Sequence, residues 1–366
     1  MRAAAIALFG LLAAFPAQAA DQFVFDQAER DAILLHGPWP PAAAPDPSNR
    51  ASGDPAAVAL GQKLFFYIRL SRDNDRSCAT CHIPAQAFAD GRPRGEGIRP
   101  LDRNTIALAN LQGRRWYGWD GKSDSLWAQS LHPIVDEREL AATGALLRDR
   151  LAPEHDAVFG PADDDETFLV DIAKALAAYQ ETLVTPRRPF DDFRDALERG
   201  DAAAMAAYPA AAARGLKLFV GRGQCAVCHF GPAFSNGEFD SVGINFFLGP
   251  DGVDRGRHGG ITALRASPFN LLGRHSDDDT RSTTGPTRHV ALLHRNWGEF
   301  AVPSLRGVAL SAPYMHDGSL ATLADVVGHY SQIDLDRLRQ DGQLILQPLR
   351  LTDGELADLV AFLETL

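Results

Sequence analysis

Methionine is scarce in this 366-residue sequence: Met1, Met205 and Met315 are its only copies. Few thioethers are therefore on hand as soft ligands for a metal. Cysteine is almost as rare, with four residues, which excludes a disulfide-dense scaffold. Lysine and arginine form no run or stripe and the formal charge is −11, so no nucleic-acid partner is expected. An acidic surface steers in basic partners instead. Past the N-terminus no apolar stretch is long enough to span a bilayer. Alternating strand patterns are few, which points away from a β-rich fold.

The N-terminus is a separate matter. Arg2 precedes an apolar run of about 13 residues, Ala3 to Phe15, followed by Pro16 and Ala17-Gln18-Ala19. A run that short, closed by an A-x-A site, reads as a signal peptide over 1–19. The expected mature chain starts near Ala20, is exported to the periplasm and has no membrane span.

All four cysteines fall in two motifs, Cys78-Ala79-Thr80-Cys81-His82 and Cys225-Ala226-Val227-Cys228-His229. Both read C-x-x-C-H, the c-type haem attachment signature. Thiols one helical turn apart can each add to a haem vinyl group, and the adjacent histidine then sits beneath the iron. One such pentapeptide arises by chance in roughly one chain of this length in a thousand. Two copies using every cysteine are far rarer. A thioredoxin-like redox pair needs a βαβ context, which neither motif has. A zinc site does not explain the histidine after each pair. The cofactors expected are two covalently bound haems c.

The motifs lie in two copies of one unit. Ala59-Leu60-Gly61-Gln62-Lys63-Leu64-Phe65 precedes the first, and Ala213-Arg214-Gly215-Leu216-Lys217-Leu218-Phe219 the second. Leu176-Ala177-Ala178-Tyr179-Gln180-Glu181-Thr182-Leu183 matches Leu359-Val360-Ala361-Phe362-Leu363-Glu364-Thr365-Leu366 at the chain end. Each half reads as opening helix, haem motif, variable middle and closing helix, a duplicated domain. Asp54-Pro55 supplies a cap and an N1 proline for the first opening helix. Thr352-Asp353-Gly354-Glu355 is a capping box before the last helix. The fold class is all-α: two cytochrome c-like domains with long loops, over 54–183 and 213–366. Residues 20–53, rich in Ala and Pro, read as an irregular arm, and 184–212 as a linker. Asp163-Asp164-Asp165 and Asp277-Asp278-Asp279 read as solvated acidic tips.

Further motifs accompany the two haem sites. Arg103-Asn104-Thr105 follows the first, and Trp119-Asp120-Gly121-Lys122 leads into Leu126, Gln129, Pro133-Ile134 and Glu139. Val302-Pro303-Ser304-Leu305-Arg306 precedes Ala309 through Pro313-Tyr314-Met315-His316-Asp317-Gly318. From about Pro55 to Leu366 this series resembles the bacterial diheme cytochrome c peroxidase and MauG family. The resemblance implies a peroxidatic haem on His82 and an electron-transfer haem on His229, with Trp119 between them. Gln129 and Glu139 fall at the distal positions over the first haem, where a carboxylate moves a proton of hydrogen peroxide and an amide holds the peroxide. Pro133 caps that side without ligating. Asn104, with backbone oxygens of Ser311 and Pro313, matches a calcium site between the haems; Asn104 equally suits a turn.

Two places decide the subfamily. Many family members carry a ligating histidine in the loop after the first motif, but here no histidine lies between His82 and His132. An open first haem, as in MauG, follows from the resemblance. By the same resemblance, Tyr330 falls at the position of the second haem's sixth ligand, with His329 and Met315 as the alternatives. A phenolate ligand stabilises ferric iron, the reverse of a thioether. One feature departs from MauG: Gly221-Arg222-Gly223-Gln224 before the second motif contains no tryptophan, so a role in methylamine dehydrogenase maturation is not expected. Trp116, Trp127 and Trp297 are candidates for other electron routes, or packing residues. Three functions follow. The favoured one is a peroxide-using oxidoreductase whose Tyr-ligated second haem stores oxidising equivalents taken from peroxide, with the electrons coming from a small donor protein or from a protein residue being oxidised. The second is an ordinary cytochrome c peroxidase fed by a small cytochrome or cupredoxin. The third is a non-enzymatic diheme electron carrier.

Overall fold

This computed structural model describes residues 25–248, 252–338 and 346–366; the expected leader, 1–19, lies outside them. The structure is 44% helix. Among the described residues its one sheet is a two-stranded antiparallel ladder, β1 (Phe239–Asp240) paired with β2 (Phe300–Ala301).

Where composition predicts an irregular arm over 20–53, the structure has a helix, α1 (Gln27–Leu34). Asp26 and Glu29 form its capping box, a local signal that the neighbouring Ala and Pro content obscures. Phe25 and Ile33 are buried in the same core as the second half's helices. The first half then runs through α2 (Pro55–Phe65), the single turn α3 (Cys78–Cys81), α4 (Leu126–Val135), α5 (Gly144–Phe159) and α6 (Asp165–Glu181). Asp54 caps α2 as its sequence predicts, accepting from the backbone N–H of Ala56 at 2.7 Å and of Ala57 at 3.1 Å. Leu64, Phe65, Trp127, Phe168, Ile172 and Leu176 fill the core between these helices.

The expected linker, 184–212, is also a correction. It contains α7 (Pro189–Arg199) and α8 (Ala202–Met205). Phe190, Phe193 and Leu197 sit at i, i+3 and i+7, a one-face helical stripe, and all three are buried in the second core. α9 (Ala210–Val220), α10 (Gly256–Ala266), α11 (Gly285–His289), α12 (Leu323–Ser331) and α13 (Asp353–Leu363) complete the chain. The capping box of α13 forms, with Glu355 N–H donating to Thr352 Oγ1 at 3.3 Å and Thr352 N–H to the Glu355 carboxylate at 2.9 Å.

One glycine in each half allows the opening and closing helices to touch backbone to backbone. A Cβ on Gly61 of α2 would lie 1.9 Å from the Ala175 carbonyl oxygen and 2.9 Å from Tyr179 Cβ on α6. A Cβ on Gly215 of α9 would lie 1.9 Å from the Asp358 carbonyl oxygen and 2.8 Å from Phe362 Cβ on α13. The contacts correspond residue for residue to the repeat in the sequence.

Ion pairs tie the halves together. Lys174 on α6 is buried and donates to Asp277 at 2.6 Å and to the His275 carbonyl at 2.7 Å. Asp278 is buried and accepts from the hydroxyls of Thr280, Ser282 and Thr283. The segment 277–279 is thus a clamp between halves and not a solvated tip. Asp164, in the other acidic triplet, caps α6 through Thr167 N–H at 2.7 Å. No helix among the described residues is long and apolar enough to cross a membrane.

Candidate haem sites

The two motif histidines are held alike. His82 Nδ1 lies 2.9 Å from the Phe88 carbonyl and His229 Nδ1 lies 3.0 Å from the Phe234 carbonyl. A backbone acceptor on one ring nitrogen fixes the tautomer and leaves Nε2 for a metal. Burial lowers the pKa of both rings, so each stays a neutral ligand. The four cysteines form no disulfides with one another. Burial pushes the thiols of Cys78 and Cys225 up to about 12 and that of Cys228 to about 11. Redox-active C-x-x-C pairs need the opposite shift, so the burial of these thiols speaks against a thioredoxin-like role.

The second motif opens onto a cavity of about 400 Å³. Cys225, Cys228 and His229 line it, with Phe219, Leu359 and Leu363 as apolar walls. α12 contributes Leu323, Val326, Val327 and Tyr330, which recur at helical spacing on one face. His329 lies off that stripe, with Nε2 2.7 Å from the Val242 carbonyl. Burial, together with Cys225, Cys228 and Asp240, raises the Tyr330 phenol well above its ordinary value. A phenol of that kind stays neutral until a cation faces it. Met315, with left-handed backbone at φ 72°, lines the same cavity. A thiol pair, an imidazole and a phenol around an apolar slot fit a covalently attached haem with protein ligands on the iron.

Trp119, Asn104, Ser311 and Pro313 line this cavity too. Trp119 is held from both halves: its indole N–H donates to the Asn104 carbonyl at 2.8 Å, and Ala301 N–H donates to its carbonyl at 2.9 Å. Asn104 N–H donates to the His316 carbonyl at 2.7 Å, and its side-chain amide donates to the Arg92 carbonyl at 2.8 Å. The Asn104 amide oxygen is left to accept.

Near the first motif, Glu139 follows α4 and lies within electrostatic reach of Cys78 and Cys81. Burial raises its pKa above the ordinary carboxylate value, an effect that Lys122 partly offsets. Gln129 on α4 accepts from Ser123 Oγ at 3.1 Å. Burial and Lys122 together push His132 down to about 4. Lys122 therefore belongs with Glu139 and His132, although the sequence reading did not single it out; its signal was its place in Trp119-Asp120-Gly121-Lys122. The loop after the first motif packs onto the same segment. A Cβ on Gly97 would lie 2.2 Å from the Arg138 carbonyl oxygen and 2.8 Å from Glu139 Cα.

The other tryptophans are engaged in packing. Trp127 is fully buried and donates to Ser48 Oγ at 3.1 Å. Trp116 lies under the Arg257 guanidinium at 4.2 Å, and Trp297 packs against His258 with ring centroids 4.6 Å apart and the planes tilted by 30°.

Comparison with known proteins matches this geometry. Residues 55–199 fit the sequence profile of the family described as di-haem cytochrome c peroxidase. The chain is 36% identical over 320 residues to the methylamine utilization protein MauG of Methylorubrum extorquens, covering 85% of this chain and 78% of that protein. It is 31% identical over 324 residues to the cytochrome-c peroxidase IdrP2 of Denitromonas iodatirespirans, covering 86% and 82%. The fold is similar to that of the diheme peroxidase BthA from Burkholderia thailandensis, with TM-score 0.67, 24% identity and coverage of 88% and 89%. A MauG-like protein associated with microbial copper homeostasis matches with TM-score 0.64 at 24% identity, covering 90% and 95%. On the sequence matches, the chain belongs to the di-haem cytochrome c peroxidase and MauG family and is a diheme peroxidase-type oxidoreductase.

Proposed function

We propose that this protein is a periplasmic, MauG-like oxidoreductase that uses hydrogen peroxide at an open first haem, with Tyr330 as the sixth ligand of the second. The observation that carries the reading is α12, which turns Tyr330 onto the cavity of the second motif while His329 is bonded to the Val242 carbonyl. Both haems would be covalently bound, through Cys78 and Cys81 and through Cys225 and Cys228, with His82 and His229 as proximal ligands. They supply the redox chemistry, and a phenolate on the second favours its oxidised states.

The chain's own residues do the rest. Glu139 accepts a proton from peroxide and returns it to the departing oxygen, and its burial raises the pKa toward the range where both transfers are feasible. Gln129 offers an amide to hold the peroxide. Lys122 adds positive charge beside Glu139 and His132. Trp119 is positioned by hydrogen bonds from both halves as a stepping stone between the sites. Calcium at Asn104, with the Ser311 and Pro313 carbonyls, would rest on neutral oxygens that line one cavity. The two halves would be duplicated domains, and the electrons would come from a small donor protein or from a protein side chain being oxidised.

Low-temperature EPR of the diferric protein, before and after one equivalent of peroxide, tests the reading. One high-spin and one low-spin haem, both signals vanishing on peroxide, is the expected result. Two low-spin haems indifferent to peroxide would overturn it. Because Met315 lines the same cavity, a thioether-ligated second haem is the competing reading, that of an ordinary cytochrome c peroxidase; a high reduction potential at that haem would favour it.

A further inference from the structure

One cation in the wall of the second cavity has no acid to balance it among the described residues. Arg114 lines the cavity beside Thr105, Ile106, Ala107 and Trp119 of the first half. Its Nε donates to the Asn110 carbonyl at 3.2 Å. Among the described residues no carboxylate pairs with it, and the only neighbour raising its pKa is Tyr117, a neutral phenol. The other arginines of the wall are matched. Arg306 bonds Asp191 at 2.6 Å, and Arg222 bonds Glu355. Its neighbours in the chain are matched as well: Arg103 pairs with Asp120 and Asp254, both at 2.7 Å, and Arg115 with Glu238 at 3.0 Å.

Arg114 is half-buried, and a guanidinium partly removed from water without a counter-charge is costly. Arginine cannot escape that cost by deprotonation, because its pKa is too high. The anion must then come with whatever fills the cavity. A haem carries two propionates, and a planar guanidinium matches a carboxylate fork to fork. We propose that Arg114 is the counter-charge for a propionate of the haem attached at Cys225 and Cys228. The assignment is to the second haem because Cys225, Cys228 and His229 line this cavity, whereas Cys78, Cys81 and His82 do not. It rests on the haem-attachment reading above. Its consequence is that the first half supplies part of the second haem's electrostatics, from the same stretch that carries Trp119.

A positive charge beside a haem favours the reduced iron, which carries one charge fewer. Potentiometric titration of both haems in the holoprotein therefore tests the assignment. Arg114→Met should shift the second haem's midpoint downward and leave the first haem's in place, while Arg114→Lys should recover most of the shift. If Arg114→Met does not load haem, Arg114→Gln removes the charge and keeps a donor in similar volume. An unchanged second midpoint in the uncharged variant, or a shift confined to the first haem, would overturn the proposal. The intact mass of the wild-type protein separates the two failures. Two haem additions with an immobile midpoint sink only the role of Arg114, whereas a missing addition at Cys225 and Cys228 sinks the attachment reading itself.

Discussion

The α2–α6 pair of the first half and the α9–α13 pair of the second cross in the same way, each at a glycine pressed against a carbonyl oxygen. Beyond that shared frame the halves diverge. Beside the first motif stand Glu139, Lys122, His132 and Gln129, a polar group. Over the second motif lies α12, an apolar face ending in Tyr330. The difference teaches that the opening and closing helices repeat one frame, while the variable middle gives each motif its own chemical surroundings. The closing helices show the same division on a smaller scale. Glu181 and Glu364 occupy equivalent repeat positions, yet Glu181 is buried and bonded to Ser52 Oγ at 2.5 Å, whereas Glu364 is exposed. The segment around Ser52 covers the end of the first closing helix, whereas Tyr208 and Phe190 bond the end of the second at Thr365.

Four measurements sharpen this comparison, in order of expected effect. Glu139→Gln should slow peroxide turnover by about 10²–10⁴-fold and leave the second haem's spectrum intact. Because burial raises the pKa of Glu139, wild-type turnover should fall as pH drops through a value above the ordinary carboxylate range. An unaffected rate would remove Glu139 from the proton path.

Tyr330→Phe should convert the second haem's low-spin EPR signal to high-spin, while His329→Gln leaves it in place. Persistence of the low-spin signal in Tyr330→Phe would transfer the ligand role to Met315. Next come the crossings. Gly61→Ala and Gly215→Ala should each destabilise the protein by about 1–3 kcal/mol, since a Cβ meets backbone in both. Chemical denaturation would show it, and a large loss in one half alone would break the equivalence.

The smallest effect concerns Glu181, whose carboxyl burial pushes up to about 7. A folded pKa raised above the unfolded one adds stability at low pH that is lost as pH rises from about 4.5 to about 7. Glu181→Gln should flatten that slope in the midpoint of thermal unfolding, and Glu364→Gln should not change it.

The haem motifs, the helix repeat and the caps at Asp54 and Thr352 were legible in the sequence, because each depends on neighbours a few residues away. Composition misled where a periodic signal was short. The Ala and Pro content of 20–53 and 184–212 masks the capping box of α1 and the Phe190, Phe193, Leu197 stripe of α7, so composition points both segments away from the core they join. Lys122 escaped notice because a lone lysine in a loop carries no meaning until the fold sets it beside Glu139 and His132. By itself the sequence determined the two thiol pairs, their histidines and the helices that frame them, since each is set by residues a few positions apart along the chain. Which of Tyr330 and His329 faces the second cavity, and that Arg114 lines it with no acid beside it among the described residues, only the tertiary structure decided. Those outcomes turn on the rotation of one helix and on charges brought together from distant parts of the chain.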